Sequence, residues 1–285
     1  MIAQLIDLFK IRIGVMMAFT AMAGFAVTPG TTLSMPEMIL LACLVLASSA
    51  SAGAFNQYAE KDLDALMKRT QNRVFAAGHF QHSQYWLFVI VGLLAFSVLI
   101  AAWVFNFAVS IHLFLGAFFY GVIYTLWLKR RSVWNIVIGG AAGGFAVLAG
   151  AAAADPYLAP ASLLLALVLF LWTPPHFWSL AIALHQDYEQ AKVPMLPVVV
   201  GDKRAAQVIL LNTIVLVAVS LMPLFWELGL GNIYLVCAAL GGSYFIYKSV
   251  RLLGNPGITT AKGCFLGSLV QLTAVLLGAF LDQLT

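Results

Sequence analysis

The chain has 285 residues, of which 62% are hydrophobic and 9% are charged, and its formal net charge is +4. An ordinary soluble domain is about a quarter charged, so this composition excludes a water-soluble globular protein. The few bases lie between apolar runs, so we expect no nucleic-acid partner.

Apolar runs of about 20 residues, the length that crosses a hydrocarbon core, recur from one end of the chain to the other. They predict an all-α integral membrane protein, a bundle of about nine transmembrane helices that forms a single domain over residues 1–285. Proline, glycine and polar clusters separate the runs. The predicted spans are residues 12–28, 37–58, 83–103, 106–127, 133–153, 160–184, 206–226, 231–252 and 261–281.

The basic residues indicate how the bundle is oriented. All 15 Lys and Arg residues lie at the start of the first span or near a gap that follows an even-numbered span. In the gaps on the opposite side, the only charged residues are acidic. Cytoplasmic loops are enriched in Lys and Arg. We therefore expect the N-terminus and the even-numbered loops to face the cytoplasm. No amphipathic, Arg-rich presequence indicates import into an organelle, so we expect a bacterial inner-membrane protein. The first apolar run continues through Phe25 and Val27, so we expect a retained helix and not a cleaved signal peptide.

The first of two acidic segments in these cytoplasmic loops reads NQYAEKDLDALMKRTQNR, from Asn56 to Arg73. Asn56, Glu60 and Asp64 are spaced by four residues, which predicts one amide and two carboxylates on one helical stripe. Converging carboxylates are costly at a membrane edge unless a cation compensates them. Magnesium prefers one or two carboxylates together with phosphate oxygens, so this stripe predicts a magnesium site.

Bases follow the acids in both segments. Arg69 and Arg73 repeat the four-residue spacing in a form that suits phosphate. The second segment, HQDYEQAKVPMLPVVVGDKR, begins at His185, and its Asp187 could supply a carboxylate to the same metal or to a second one. Metal-binding acids and phosphate-binding bases above an apolar bundle indicate a phosphorylated amphiphile as substrate. The bases of the second segment that could add phosphate contacts are Lys192, Lys203 and Arg204.

The first segment resembles the first Asp-rich motif of the intramembrane UbiA-type prenyltransferases, N-x-x-x-D-x-x-x-D followed by R-T-x-x-R. Three further blocks are similar to the protoheme IX farnesyltransferase (heme O synthase) branch of that family: YTLWLKRRSVWNIVIGG from Tyr124, WTPPHFWSLAI from Trp172 and DYEQAKVPMLPVV from Asp187. The resemblance covers essentially the whole chain and keeps the order of these blocks. This chain has Glu60 where the family usually has Asp. Its second segment also lacks the aspartate pair of other branches. The resemblance therefore implies either one or two bound magnesium ions.

The resemblance implies an enzyme that transfers the farnesyl group of farnesyl diphosphate to a vinyl group of heme b, by Mg²⁺-assisted ionisation of the allylic diphosphate. Heme O and diphosphate are the products, and a heme A synthase or an oxidase-assembly protein is the implied partner. The implied catalytic and metal-binding residues are Asn56, Glu60, Asp64 and Asp187. The implied diphosphate-binding residues are Arg69, Arg73, Lys129, Lys192 and Lys203, and the implied heme or prenyl contacts are His176, Tyr120 and Tyr124.

Three alternatives stay open. His176 either contacts heme or only hydrogen-bonds a neighbouring helix. The acceptor could instead be an aromatic acid or a quinone precursor, as in other prenyltransferases of this architecture. A cation-coupled transporter is the alternative from a different class. Transporters usually place their coupling acids near the middle of the bilayer, whereas here every acid lies at the end of a span or in a gap.

Overall fold

The computed structural model describes residues 1–284, and over that range the chain forms helices joined by turns, without a strand. A π-helix, Phe119–Leu128, continues α6, and a short 3₁₀ helix, Met222–Leu224, follows α12. The α-helices are α1 (Ile2–Leu8), α2 (Ile11–Ala26), α3 (Met35–Ala59), α4 (Lys61–Leu66), α5 (Gln84–Val104), α6 (Phe107–Phe118), α7 (Asn135–Gly139), α8 (Ala141–Ala154), α9 (Pro160–Ala183), α10 (His185–Gln190), α11 (Leu196–Val200), α12 (Asp202–Ser220), α13 (Asn232–Gly254) and α14 (Ile258–Asp282).

The prediction of an all-helical bundle with about nine spans is confirmed. Eight helical stretches within residues 1–284 are long and apolar enough to cross a membrane, and the shorter α2 is also apolar. The largest difference from the predicted starts is at α12, which begins at Asp202 and not at residue 206. An acidic residue stabilises the first turn of a helix, so this helix extends into polar sequence that an apolar-run criterion leaves out.

The N-terminal transmembrane helix lies inside the bundle. A Cβ atom added to Gly150 of α8 would lie 1.7 Å from the carbonyl oxygen of Ala21 in α2, and one added to Gly24 would lie 2.2 Å from that of Val147. Small residues let membrane helices approach backbone to backbone in this way. The close packing fixes α2, and therefore the loop before it, relative to the rest of the bundle.

The two acidic segments lie at one end of the bundle. The backbone N–H of Arg69, in the loop after α4, donates to a carboxylate oxygen of Asp187 in α10 at 3.3 Å, although 118 residues separate them. Arg130, after the π-helix, forms a two-pronged ion pair with Asp62 of α4 at 2.7 Å for each N–O distance. These contacts join the loops that follow α3, the π-helix and α9 into one surface.

Candidate active site

The predicted stripe of Asn56, Glu60 and Asp64 forms across a break in the helix. Helix α3 ends at Ala59, and Glu60 joins it to α4 with φ −106° and ψ 19°. Backbone hydrogen bonds cross the break, from Glu60 N to Asn56 O at 3.0 Å and from Asp64 N to Glu60 O at 2.8 Å. The side-chain amide of Asn56 donates to Glu60 Oε2 at 2.8 Å. The local helical spacing therefore survives, and the three side chains are all buried.

Each carboxylate of the first segment has a basic partner. Lys129 Nζ donates to Glu60 Oε2 at 2.5 Å, and Arg73 Nη1 contacts both carboxylate oxygens of Asp64 at 2.8 and 2.9 Å. A buried carboxylate requires a cation of this kind because its charge is otherwise strongly disfavoured away from water. The two buried acids of this segment therefore form a charge-compensated cluster with Arg73 and Lys129.

Burial and pairing act in opposite directions on these acids. Burial is the main influence on Asp64 and raises its pKa above the usual value, and the adjacent Arg73 only partly counteracts it. The exposed Asp62 shows the reverse, since its hydrogen bonds from Arg130 lower its pKa. Burial, followed by the charge of Arg73, lowers the pKa of Lys10 to about 7, and the charges of Glu60 and Asp64 only partly counteract this.

A π-helix brings Tyr120, Tyr124 and Lys129 to the same surface. Its backbone hydrogen bonds span five residues, as in the bond from Lys129 N to Tyr124 O at 2.9 Å. Nine residues of an α-helix make about two and a half turns, which would put Lys129 opposite Tyr120. Wider π turns of about 4.4 residues bring the two side chains back onto one face. The rings of Tyr120 and Tyr124 stack with their centroids 5.6 Å apart.

These elements enclose a cavity of about 580 Å³. Its lining includes acidic, basic and aromatic side chains, so a charged group and an apolar group could occupy it together. Seven of the residues predicted from the sequence line it: Asn56, Asp64, Arg69, Arg73, Tyr120, Tyr124 and Lys129. Glu60 lies behind this lining, where it is held by Asn56 and Lys129.

The second acidic segment reaches the site through α10. Asp187 is nearly buried, with 9% of its surface exposed, and accepts the hydrogen bond from Arg69 N. The neighbouring Tyr188 lines the cavity, and burial raises its pKa. At the start of the same helix, His185 Nδ1 lies 2.7 Å from Asp202 Oδ1 of α12. This contact ties α10 to α12.

The remaining predicted residues lie outside the cavity lining. Lys192 and Lys203 are exposed side chains on the loop after α10 and the first turn of α12. His176 in α9 is buried, with Nδ1 2.7 Å from Ser268 Oγ of α14 and its ring stacked between Trp172 and Phe265. The hydrogen bond to a neighbouring helix, one of the two roles left open for His176, is therefore present. Its neighbour Phe177 lines the cavity.

Sequence reasoning missed several residues of the site, among them Lys10 and Thr125, which both contact Asn56. Lys10, before α2, reaches the cavity and donates to Asn56 Oδ1 at 2.7 Å and to Tyr120 Oη at 3.0 Å. Thr125 accepts a hydrogen bond from Asn56 Nδ2 at 3.1 Å and donates to the carbonyl of Tyr120 at 2.8 Å. The signal for Lys10 was a basic residue just before the first span, in the sequence Lys10-Ile11-Arg12 where the family usually has Lys-Pro-Arg, and Thr125 had none.

The donor set fits a hard divalent cation in part. Glu60 Oε1 is buried and has no hydrogen-bond partner among residues 1–284, so one carboxylate oxygen is left to bind a cation. Over that same range, no three His, Cys, Asp or Glu side chains are close enough to enclose a metal by themselves. Magnesium usually keeps water or phosphate oxygens in its coordination shell. An incomplete protein shell is therefore compatible with magnesium that arrives with a phosphorylated substrate.

Sequence comparisons agree with these features. The model of the UbiA prenyltransferase family matches residues 17–280. Protoheme IX farnesyltransferase 2 of Paramagnetospirillum magneticum is 52% identical over 280 residues, which cover 98% of this chain and 96% of the relative. Protoheme IX farnesyltransferase of Rickettsia bellii is 38% identical, over 95% of this chain and 89% of the relative.

Solved structures share the fold. A digeranylgeranylglyceryl phosphate synthase superimposes with a TM-score of 0.81 at 17% identity, over 99% of this chain and 98% of that one. A UbiA homologue from Archaeoglobus fulgidus, bound to DMAPP and Mg²⁺, gives 0.72 at 16% identity, over 95% of this chain and 99% of that one. These likenesses establish a common helical architecture.

Proposed function

The chain belongs to the UbiA prenyltransferase family, and we propose that it is a protoheme IX farnesyltransferase. It transfers the farnesyl group of farnesyl diphosphate to a vinyl group of protoheme IX, water supplies the hydroxyl group, and the products are heme O and diphosphate. One observation carries this proposal. A cavity where buried carboxylates, bases and stacked tyrosines converge lies in a chain that is 52% identical to a protoheme IX farnesyltransferase over nearly its full length.

The site must first stabilise the charge that forms when the substrate ionises. Breaking the allylic C–O bond leaves negative charge on diphosphate, and cations fixed in advance around that position lower the barrier. Arg69, Arg73 and Lys129 line the cavity and are proposed to bind the diphosphate. Lys192, in the loop after α10, and Lys203, in the first turn of α12, are exposed, and we propose that they meet the substrate as it enters.

Magnesium is proposed as the accompanying cofactor. Asn56, Glu60, Asp64 and Asp187 would hold it, and the unpartnered Oε1 of Glu60 supports at least one ion. When bound, magnesium supplies Lewis-acid stabilisation of the departing diphosphate. The protein's own acids and bases already compensate one another, so metal and substrate can be exchanged without leaving a bare buried charge.

The aromatic side of the cavity meets the second demand, protection of the allylic cation from water. Tyr120 and Tyr124 present stacked rings beside the bases, and aromatic faces attract cations. Exclusion of water prevents premature capture of the cation. Phe177 continues the apolar lining on α9. We propose that the acceptor porphyrin lies along this part of α9, where His176 is held against α14.

We propose that the protein lies in the bacterial inner membrane with this cavity facing the cytoplasm, because all its Lys and Arg residues belong to one side. In a chain with its native cysteines replaced, a cysteine at the exposed Lys61 should react with an impermeant maleimide only in inverted vesicles. A cysteine at Tyr157, which is 93% exposed in the loop between α8 and α9, should show the opposite pattern. Labelling of both from the same side would reject the orientation.

The reaction itself is tested with purified protein, heme b, farnesyl diphosphate and Mg²⁺. Mass spectrometry should detect heme O, and omission of Mg²⁺ should abolish it. Parallel reactions with an aromatic acid or a quinone precursor as acceptor should give no prenylated product. Prenylation of one of these with heme b unreacted would show that the acceptor assignment is wrong.

We also propose that heme O passes directly to a heme A synthase or an oxidase-assembly protein, because so apolar a product cannot diffuse through water. Cross-linking in native membranes, followed by mass spectrometry, should recover such a partner. Heme O release into lipid at the same rate without any partner would argue against direct transfer.

A further inference from the structure

We propose that the end of the α13–α14 hairpin at which the two helices are joined is a binding site for an anionic glycerophospholipid. Three bases, Lys248, Arg251 and Lys262, form a basic patch that holds the lipid phosphate. A shallow groove farther along α14 takes an acyl chain. The site is separate from the cavity described above, because none of these bases lines that cavity.

The basic patch carries three positive charges without an acidic partner. Lys248 and Arg251 lie in the last two turns of α13, and Lys262 lies in the second turn of α14. Within the described part of the chain, no carboxylate lies within 4.0 Å of these three groups. Asp282, the one acid in α13 and α14, is at the opposite end of the hairpin, where it accepts from Ile233 N at 3.1 Å. The patch therefore offers uncompensated positive charge to an anion.

Two tyrosines gather the bases at the surface of the hairpin. Lys248 Nζ lies 5.1 Å from the ring centroid of Tyr244 and 5.7 Å from that of Tyr247. Arg251 Nη1 donates to Tyr247 Oη at 3.0 Å. Both tyrosines are exposed, and tyrosines of membrane proteins concentrate at the level of the lipid headgroups. Membrane orientation requires only that bases lie on one side, whereas these bases are held at headgroup depth.

Gly267 of α14 makes room for the stem of Lys248. A Cβ atom added to Gly267 would lie 2.9 Å from Lys248 Cγ and 3.2 Å from its Cβ. The side chain of this base on α13 therefore packs against α14. Helix α14 begins at Ile258, and the N-terminal end of a helix adds partial positive charge at the same end of the hairpin. Both helices thus contribute to one anion site.

A groove of about 420 Å³ lies on the outer surface of α14. Lys262, Leu269 and Thr273 follow one another at spacings of seven and four residues, which puts them on one face of the helix. At 1.5 Å per residue, Thr273 lies roughly 16 Å along the axis from Lys262, about the depth of one leaflet of the hydrocarbon core. A lipid whose phosphate meets the basic patch therefore places an acyl chain along the groove. The groove is lined by Leu269, Val270, Thr273, Ala274 and Leu277.

Charge and shape together favour a lipid over the other molecules that could cover this surface. A symmetric contact with a second copy of the chain would bring two basic patches to one interface, and like charges oppose such a contact. Inorganic phosphate would meet the bases and leave the groove unfilled. An anionic lipid satisfies both features, and basic pockets between transmembrane helices are known to bind lipid headgroups.

The test is native mass spectrometry of the full-length protein in neutral detergent. Dioleoyl phosphatidylglycerol and dioleoyl phosphatidylcholine share their acyl chains and differ in charge, and the wild type should bind the first on the order of tenfold more tightly. Lys248→Gln, Arg251→Gln and Lys262→Gln together should abolish this preference. The control combines Lys61→Gln, Lys68→Gln and Arg131→Gln, which removes the same charge from exposed bases outside the patch, and it should behave like the wild type.

A substitution in the groove separates a lipid from a free anion. Thr273→Phe fills the groove without changing any charge, and it should weaken binding of phosphatidylglycerol several-fold. Inorganic phosphate at constant ionic strength should not displace the lipid. Wild-type lipid binding in Thr273→Phe, together with displacement by phosphate, would show that the patch binds a free anion and would reject the lipid.

Labelling of the wild-type protein avoids any dependence on the folding of a variant. In bilayer discs of phosphatidylglycerol, an amine-reactive reagent should modify Lys248 and Lys262 less than in discs of phosphatidylcholine, relative to Lys61. Equal relative labelling in the two lipids would overturn the proposal. So would equal losses of lipid binding in the two triple variants, which indicate bulk electrostatics, or a dimer mass lost only in the patch variant, which indicates a second copy. None of these measurements involves farnesyl diphosphate or heme.

Discussion

The two acidic segments lie at one surface, but their carboxylates have different partners. In the first, Glu60 and Asp64 are both 1% exposed, and each is neutralised by a base of the protein. In the second, Asp187 is at the edge of burial, and the contact made by its carboxylate is a backbone N–H at 3.3 Å. The first segment is therefore preorganised without ligand, whereas the second supplies a carboxylate whose charge is still open to a cation.

This difference predicts separate consequences for mutation. Changes in the first segment should affect both the chemistry and the stability of the protein, because its charges are mutually dependent and buried. Changes in the second should mainly affect how tightly a cation or its substrate is held.

The largest effect is expected for Asp64→Asn. The substitution keeps the shape and one acceptor for Arg73 and removes the charge, so heme O formation should fall by roughly 10²–10³-fold. Asp62→Asn is the matched control, since Asp62 has a 69% exposed side chain and pairs with Arg130 away from the cavity, and its turnover should stay within about twofold of wild type. Measured kcat values for the two variants decide this. Near-normal turnover in Asp64→Asn would remove Asp64 from the reaction.

The architecture was predictable because each span is an apolar run of membrane length. The meeting of the two acidic segments also followed, since both lie in loops after even-numbered spans, and the structure joins them through Arg69 and Asp187. The exposed positions of Lys192 and Lys203 were not foreseen, because proximity in sequence to an acidic motif does not determine where a flexible side chain points.

The geometry of the site was less accessible to sequence reasoning. Tyr120 and Lys129 share a face because the helix widens to π geometry. The apolar sequence of Phe119–Leu128 contains no pattern that predicts a π-helix. Lys10 reaches the cavity through a left-handed turn. The pairing of Lys129 with Glu60 depends on tertiary packing across 69 residues, which a single sequence does not encode as a local pattern.

The second largest effect should appear in stability. Lys129→Met leaves Glu60 buried without its cation, which should lower the free energy of unfolding by about 3 kcal/mol. Arg130→Met breaks the neighbouring exposed pair and should cost at most about 1 kcal/mol. Reversible unfolding in detergent or bilayer mixtures measures both. Equal stability losses would mean that the Glu60–Lys129 contact is no more important to the fold than a surface ion pair.

The second segment should respond differently. Asp187→Asn should raise the Mg²⁺ concentration needed for half-maximal activity by on the order of tenfold, since one of the carboxylates available to the ion is lost. Its thermal stability should remain close to wild type, because no base loses its partner. Glu189→Gln, an exposed change two residues along α10, is the control. A large stability loss in Asp187→Asn with unchanged magnesium dependence would show that the two segments do not differ as proposed.

The smallest effect concerns the tie between α10 and α12. His185 and Asp202 have 29% and 34% exposed side chains, so solvent weakens their interaction, and a coupling of at most about 1 kcal/mol is expected. If this contact orients the helix that carries Asp187, His185→Asn and Asp202→Asn should each shift the Mg²⁺ dependence by less than about fivefold. The double variant should then be no worse than either single variant, because the same contact is lost in each. Additive losses would mean that the two residues act independently and that α10 is held by the burial of its own side chains, such as Tyr188.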